Sequence, residues 1–260
     1  MSSWSFRGTA LDDLGFVTQV SDSLMMPARR GDNVLIPFLD GRVFVEKQFE
    51  QRSMVLGLEI VEETRAALEA KMDVVKALFG RRSLGALTQT LEDLSVRTCQ
   101  AEYAGDLNLT PVSPLCVRMV LEFVMPDPFF RGATLYSDTT VIDASPKTYT
   151  LTNAGTADER NPTIVLTGPL LNTVITNVTN GCVLTYTGTI ASPRVVTIGK
   201  SATGEYTATN DLGTNVIGNV THEGDAALFV VDAGDNDLSV VDATHTTGSV
   251  KVEFYPPYLE

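Results

Sequence analysis

Only one window of this 260-residue chain repeats its apolar residues with a helical period, and wherever else a pattern exists it is strict alternation. Leu68, Met72, Val75 and Phe79 fall four, three and four residues apart, which predicts one helix over 62–79. Glu62 and Glu63 stand at the positive end of its dipole, Gly80 offers a left-handed stop, and Arg81 and Arg82 follow at the negative end. At 1.5 Å per residue such a helix is roughly 27 Å long, enough to lie across one sheet. The alternating runs supply the sheet. Met54, Leu56, Leu58 and Ile60 alternate with Val55, Gly57 and Glu59; Val117, Met119, Leu121 and Phe123 alternate with Arg118, Val120 and Glu122. A period of two turns one face of each run into a core. Further strand signals occur at 4–6, 34–39, 43–45 and 96–103, and Asp40-Gly41 is the residue pair that a tight hairpin turn requires. The first half therefore reads as a β-sandwich carrying one helix.

Composition changes near residue 130. Residues 1–130 hold 13 Lys and Arg and 7 Thr, whereas residues 131–260 hold 6 Lys and Arg and 24 Thr. Two domains follow, 1–130 and 131–260, joined through Pro126, Asp127, Pro128 and Gly132, where prolines lacking an N–H and a glycine end the preceding strand. The second half shows short alternating runs at 163–167, 182–187, 195–198, 227–231, 238–241 and 250–254. Asn180-Gly181, the 211–213 turn and Gly234-Asp-Asn-Asp237 separate some of them, the pattern of an antiparallel β-sandwich. The fold class is mainly β with a single helix.

Chemistry is harder to find. The two histidines, His222 and His245, read as inert groups in loops or strand ends, because no G-x-S-x-G elbow or cysteine signature accompanies them. Gly199-Lys200-Ser201 imitates a phosphate loop, but Arg194 occupies the position of the required earlier glycine, so a hairpin is expected. Asp232 to Asp237 concentrates oxygen ligands, yet Ala243 stands where a calcium loop places its bidentate Glu; a solvated turn is the simpler account. Cys99, Cys116 and Cys182 have neither zinc nor disulfide spacing and read as buried apolar groups. No catalytic, cofactor-binding or metal-binding residue is assigned, and no enzyme is expected. The first residues, Met1 to Phe6, have neither a basic nor an apolar leader region, and no stretch offers the ~20 apolar residues of a membrane helix, so synthesis in a cytoplasm without membrane insertion is expected. With 32 acidic against 19 basic side chains, the formal charge of −13 argues against tight nucleic-acid wrapping. A carbohydrate-binding module is the competing idea for a Thr-rich sandwich. Trp4, however, lies in the other half, and Tyr136, Tyr149, Tyr186, Tyr206, Tyr255 and Tyr258 also suit an ordinary sheet.

The ordered set of turns and strand ends resembles a known family. Phe6-x-Gly8, Ile36-Pro37-x-x-Asp40-Gly41, Phe79-Gly80 and Val120-Leu-Glu-Phe followed by Asp127-Pro-Phe-Phe130 are similar to the distal tail protein (Dit) of phages with long non-contractile tails. The likeness continues in Asn153-Ala-Gly-Thr156, Asn161-Pro-Thr-Ile-Val-Leu-Thr-Gly168, Gly224-Asp225 before Leu228-Phe-Val, and Ala233-Gly-Asp-Asn236. The resemblance spans nearly the whole chain. It implies a ring-forming N-terminal β-sandwich with a helix and a C-terminal galectin-like sandwich. It further implies a homohexamer made in the host bacterial cytoplasm and placed at the tail tip of the virion, joining the tail tube protein to the hub or fibre protein and leaving a channel for DNA. Some relatives carry inserted carbohydrate-binding domains, for which 260 residues leave no room. Six copies carry about −78, which would let DNA slide past without adhering. The hairpin residues Phe38, Asp40, Gly41, Arg42 and Phe44 are the candidates for the ring interface, since strand edges can pair between neighbours.

Overall fold

The computed structural model describes residues 3–20, 26–36, 40–45, 47–201, 204–223, 228–244 and 247–259. Met1, Pro37, Phe38, Gly224, Asp225, Ala227 and His245, named above, lie outside the described residues. The chain divides into two compact units, Met1–Ala133 with Leu259–Glu260, and Thr134–Tyr258. The segment read as a joint belongs to the first unit. Its strand Phe130–Gly132 pairs with Val96–Tyr103, placing Gly132 opposite Arg97 and Arg131 opposite Thr98. Phe130 is fully buried. The Asp127 carboxylate accepts the Phe129 N–H at 3.3 Å and binds the Arg131 guanidinium at 3.1 Å. Pro126, Asp127, Pro128 and Gly132 are thus held in structure, and the division falls after Ala133.

In the first unit the strands lie in the order Thr9–Ala10, Ser3–Phe6, Gly85–Thr90, Val96–Tyr103, Cys116–Met125, Arg52–Val61 and Phe16–Val20. The two long alternating runs pair along their whole length, from Cys116 opposite Val61 to Met125 opposite Arg52. Met54, Leu56, Leu58, Ile60, Met119, Leu121 and Phe123 all turn inward and are buried, each stabilising by about 1.5–3 kcal/mol. Strand Val96–Tyr103 is shared between two halves of the sheet. Its residues 96–101 pair with Gly85–Thr90, and only Glu102 and Tyr103 pair with Val124 and Phe123. The sheet curls about this strand, and the helix fills the curl. Phe6 from one half and Phe79 from the helix stack at 5.6 Å, and Phe123 from the other half meets both edge-on at 5.1 and 6.1 Å.

The helix spans Arg65–Phe79, three residues shorter at its start than the sequence suggested. Thr64 is extended (φ −133°, ψ 151°) and its hydroxyl accepts the Ala67 N–H at 3.2 Å, so Thr64 is the N-cap and no acidic residue lies in the first turn. Glu62 instead binds Lys71 at 2.6 Å. The far end differs as well. Gly80 has φ −70° and ψ −5°, so it continues the right-handed turn and donates its N–H to the Lys76 carbonyl at 2.8 Å. A Cβ there would lie 2.7 Å from that carbonyl oxygen, so glycine serves for space and not for handedness. Leu68, Val75, Leu78 and Phe79 form the buried stripe, with Met72 half-buried.

The second unit is a sandwich of two antiparallel five-stranded sheets. One has the order Tyr136–Val141, Ser249–Phe254, Thr163–Thr167, Val195–Lys200, Tyr206–Asn210; the other has Lys147–Asn153, Gly234–Val241, Leu170–Asn177, Val183–Ile190, Val220–Glu223. Leu166, Val196, Ile198, Val250 and Val252 of the first sheet meet Leu151, Ile175, Leu184, Leu238 and Val240 of the second in one core. Two expectations are corrected here. Gly234-Asp-Asn-Asp237 is the start of a strand, opposite Asn153 to Thr150, and not a turn. The run at 228–231 forms no strand beyond a bridge from Val231 to Glu159, although Phe229, Val230 and Val231 are buried. Buried amides explain the first. The Asn236 side chain is fully enclosed; it donates to the carbonyls of Asp232 and Gly234 and accepts from the Asp232 N–H and the Asn177 amide, at 2.8 to 3.0 Å. Those bonds lock the reversal and let the strand begin at once.

Candidate assembly surface

The groups weighed as candidates for chemistry are occupied otherwise. His222 lies on strand Val220–Glu223, half-buried and not in an exposed loop; its ring meets Tyr206 edge-on at 5.2 Å, and neither ring nitrogen has a hydrogen-bond partner. Burial lowers its pKa. A catalytic histidine needs a carboxylate behind it and a nucleophile in front, and among the described residues neither is hydrogen-bonded to this ring. Cys99, Cys116 and Cys182 are buried. Burial pushes the Cys99 thiol up to about 12, far from the thiolate that reactivity requires. Asp235 and Asp237 accept the hydroxyls of Thr152 and Thr150 at 2.6 and 2.7 Å. Gly199-Lys200-Ser201 closes a hairpin, with Lys200 paired to Tyr206. Among the described residues no group of three or more His, Cys, Asp and Glu could hold a metal ion, and no helix is long and apolar enough to cross a membrane.

What the first unit does present is surface. Arg29–Arg30 pairs with Gln48–Phe49, and Val34–Leu35 with Arg42–Val43, each pair forming a two-stranded sheet with no further strand beside it among the described residues. Leu35 lies opposite Arg42, leaving 36–41 between them, so Asp40-Gly41 is not a two-residue turn; Gly41 has φ +90°, which glycine accepts without strain. Asp40, Gly41, Arg42 and Phe44 are all exposed on this arm, and Phe38 lies outside the described residues. A two-stranded ribbon has no core of its own. Leu35 is accordingly 65% exposed and Phe44 75%, and Val34, Ile36, Val43 and Val45 are exposed with them.

The base of the arm is anchored where its tip is bare. Arg29 lies over the Phe49 ring at 5.5 Å, Phe49 meets Phe129 edge-on at 5.5 Å, and Arg131, held by Asp127, lies over Phe129 at 5.9 Å. The Glu50 N–H donates to the Ala28 carbonyl at 2.8 Å. This stack went unread in the sequence, because Phe49 and Phe129 are 80 positions apart and neither belongs to an alternating run.

A second feature of the first unit is the outward face of the paired strands Arg52–Val61 and Cys116–Met125. Val61, Val120 and, on the neighbouring strand, Phe16 are exposed there. Arg118 reaches across to Glu59 with two bonds of 2.8 and 3.2 Å, and these hydrogen bonds hold the Glu59 carboxyl below its ordinary range. Beside them runs an open groove of about 470 Å³ lined by Asp106, Asn108, Thr110, Val112, Val120 and Glu122, among others. The outward faces of the second unit are different. The strand registers place Thr148, Thr150, Thr152, Asp235, Asp237, Ser239, Thr176 and Thr185 on one and Ser137, Thr139, Lys251, Glu253, Val165 and Thr197 on the other. No aromatic ring among the strand residues described stands on either face for a sugar to stack upon.

Among the described residues this mostly β chain of two units presents an exposed apolar arm and no group of side chains that could hold a metal ion. Comparison with solved structures places its fold more closely. The crystal structure of the SPP1 Dit (gp 19.1) protein, described as a paradigm of the hub adsorption apparatus in phages infecting Gram-positive bacteria, superposes with a TM-score of 0.68 at 13% identity, covering 97% of this chain and 98% of that one. The chain has the Dit fold, all-β with one helix. Two structures of the phage P2 baseplate in its activated conformation, with Ca and with Sr, align at 9% identity with TM-scores of 0.43 and 0.42, covering 97% and 98% of this chain and 98% of each of theirs. No protein-family model and no curated protein sequence matches the chain.

Proposed function

We propose that this chain is a structural protein of a bacteriophage tail, a distal tail protein whose copies close into a six-membered ring at the end of the tail tube. In this reading the first unit forms the ring and the galectin-like second unit hangs outside it. The ring joins the tail tube protein to the hub or fibre protein, leaves a channel for DNA and takes part in host adsorption. The observation that carries the reading is the fold: both units, in order and nearly end to end, follow those of SPP1 Dit. The arm supports it, because six exposed apolar residues on a ribbon without a core need a partner surface. The charge of −13 per copy supports passage of DNA without adhesion. A structural and not an enzymatic role agrees with the partnerless His222 and the enclosed thiols.

Negative-stain images of the purified protein test this directly, with six-fold rings as the expected result. Antibody labelling of intact particles should mark the tube's distal end; label elsewhere on the particle rejects the reading. A glycan array probed with the full chain should stay blank, and specific binding would instead favour a carbohydrate-binding module.

A further inference from the structure

We infer that the groove beside strand Cys116–Met125 receives the arm of a second copy of this chain, with Phe44 between Val112 and Val120 and Arg42 facing Asp106 and Glu122. The inference rests on the ring proposed above and names the surface that accepts the arm. Three observations choose this occupant. First, Phe44 is 75% exposed, so a chain's own arm does not fill its own groove. Second, the charges are complementary. The groove carries Asp106 and Glu122, and the one guanidinium on its wall, Arg118, is tied to Glu59 at 2.8 Å, which leaves the groove acidic toward a newcomer. Arg42 stands two positions from Phe44 and is exposed. Third, the apolar parts match in kind: Val112 and Val120 are each more than half exposed on the groove wall, and an aromatic ring is the side chain with most area to bury against them.

Arm and groove occupy different places on one chain, so the contact is heterologous. Each copy gives an arm to one neighbour and takes an arm from another, which is the arrangement that a closed ring requires. The Glu59–Arg118 pair at the groove wall then has a defined part: it neutralises the one cation among the described groove residues, which would otherwise repel Arg42.

The test uses two full-length variants, Phe44→Cys and Val120→Cys, mixed under mild oxidation; the three native thiols are buried and do not compete. Mixing should give a disulfide-linked pair at least tenfold above either variant alone and above a control mixture of Phe44→Cys with Leu212→Cys, an exposed site on the second unit. In parallel, Arg42→Glu and Glu122→Arg should each raise the concentration for half-assembly about tenfold, and the double variant should recover most of that loss, as coupled charge pairs do. Absence of the mixed disulfide overturns the inference whatever the oligomeric state. Rings that persist unchanged in both charge variants overturn it too, yet leave the ring itself standing. Failure to find rings or tail-tip label is the separate result that removes the proposed function.

Discussion

Asp242 shows how much a single side chain can hold in this fold. It is 1% exposed, and its carboxylate accepts four bonds: the Leu171 N–H at 2.9 Å, the Thr173 hydroxyl at 2.7 Å, and the Thr244 N–H and hydroxyl at 2.8 and 2.6 Å. Burial alone would raise its pKa, but the bonds from Thr244, Thr173 and Leu171 together outweigh it and hold the carboxyl below its ordinary value. A lowered carboxyl pKa contributes stability that is fully present above the unfolded value near ~3.9 and fades as pH falls through the folded one. Asp242→Ala should therefore destabilise the second unit by about 3 kcal/mol at neutral pH, because it strands buried donors, and should flatten the acid limb of its melting curve below about pH 4. His222 titrates in a different window. Its pKa is also lowered, by burial, so the neutral ring is favoured in the fold, and stability is lost as pH falls below about 6.5. The melting temperature of the wild type should drop between pH 7.5 and 5.5. His222→Phe, read by calorimetry, should shrink that drop, and an unchanged drop would show that another group is responsible.

Among the elements, the helix tests the capping argument most simply. Thr64→Ala removes the acceptor for the Ala67 N–H and should cost about 1 kcal/mol, whereas Glu63→Ala, outside the helix, should cost less than half as much. The sequence placed this helix by its apolar stripe but set its start too early, since acidic residues attract the dipole argument while a threonine cap announces itself only through backbone geometry. Strands were legible in proportion to their apolar contrast. Arg52–Val61 and Cys116–Met125 stood out because every second residue is Leu, Ile, Met, Phe or Val. Tyr136–Val141, Lys147–Asn153 and Tyr206–Asn210 went unread because their outward faces carry threonine, which is β-branched and polar at once, and their inward positions carry few aliphatic residues, so the apolar contrast is weak. The arm was half legible: Arg42 and Phe44 were singled out, but the groove was not, since Asp106, Val112 and Glu122 meet only through folding. Excising residues 31–45 and closing the ribbon with Asn-Gly should leave the circular dichroism and the melt nearly unchanged, for the arm adds nothing to the core, and should abolish assembly in sedimentation velocity.

At the scale of the whole molecule, net charge was the property most directly legible, and it sets the last prediction. At −13 per copy the protein should fail to retard DNA in a gel even at ~50 mM salt, where phosphate-binding proteins hold on most tightly. The division of the chain was less legible, because the prolines and glycine near residue 130 looked like a joint, when Phe130 is packed in the first core and edge-on to Trp4 at 6.2 Å. Leu259 returns to the first unit, where its carbonyl accepts from the Arg52 guanidinium at 3.0 Å. The second unit is thus entered after Ala133 and left before Leu259. A protease that cuts between Ala133 and Thr134 leaves residues 134–260 attached to the first unit by non-covalent contacts alone, such as the bond from Arg52 to Leu259, so the two fragments should part in denaturant.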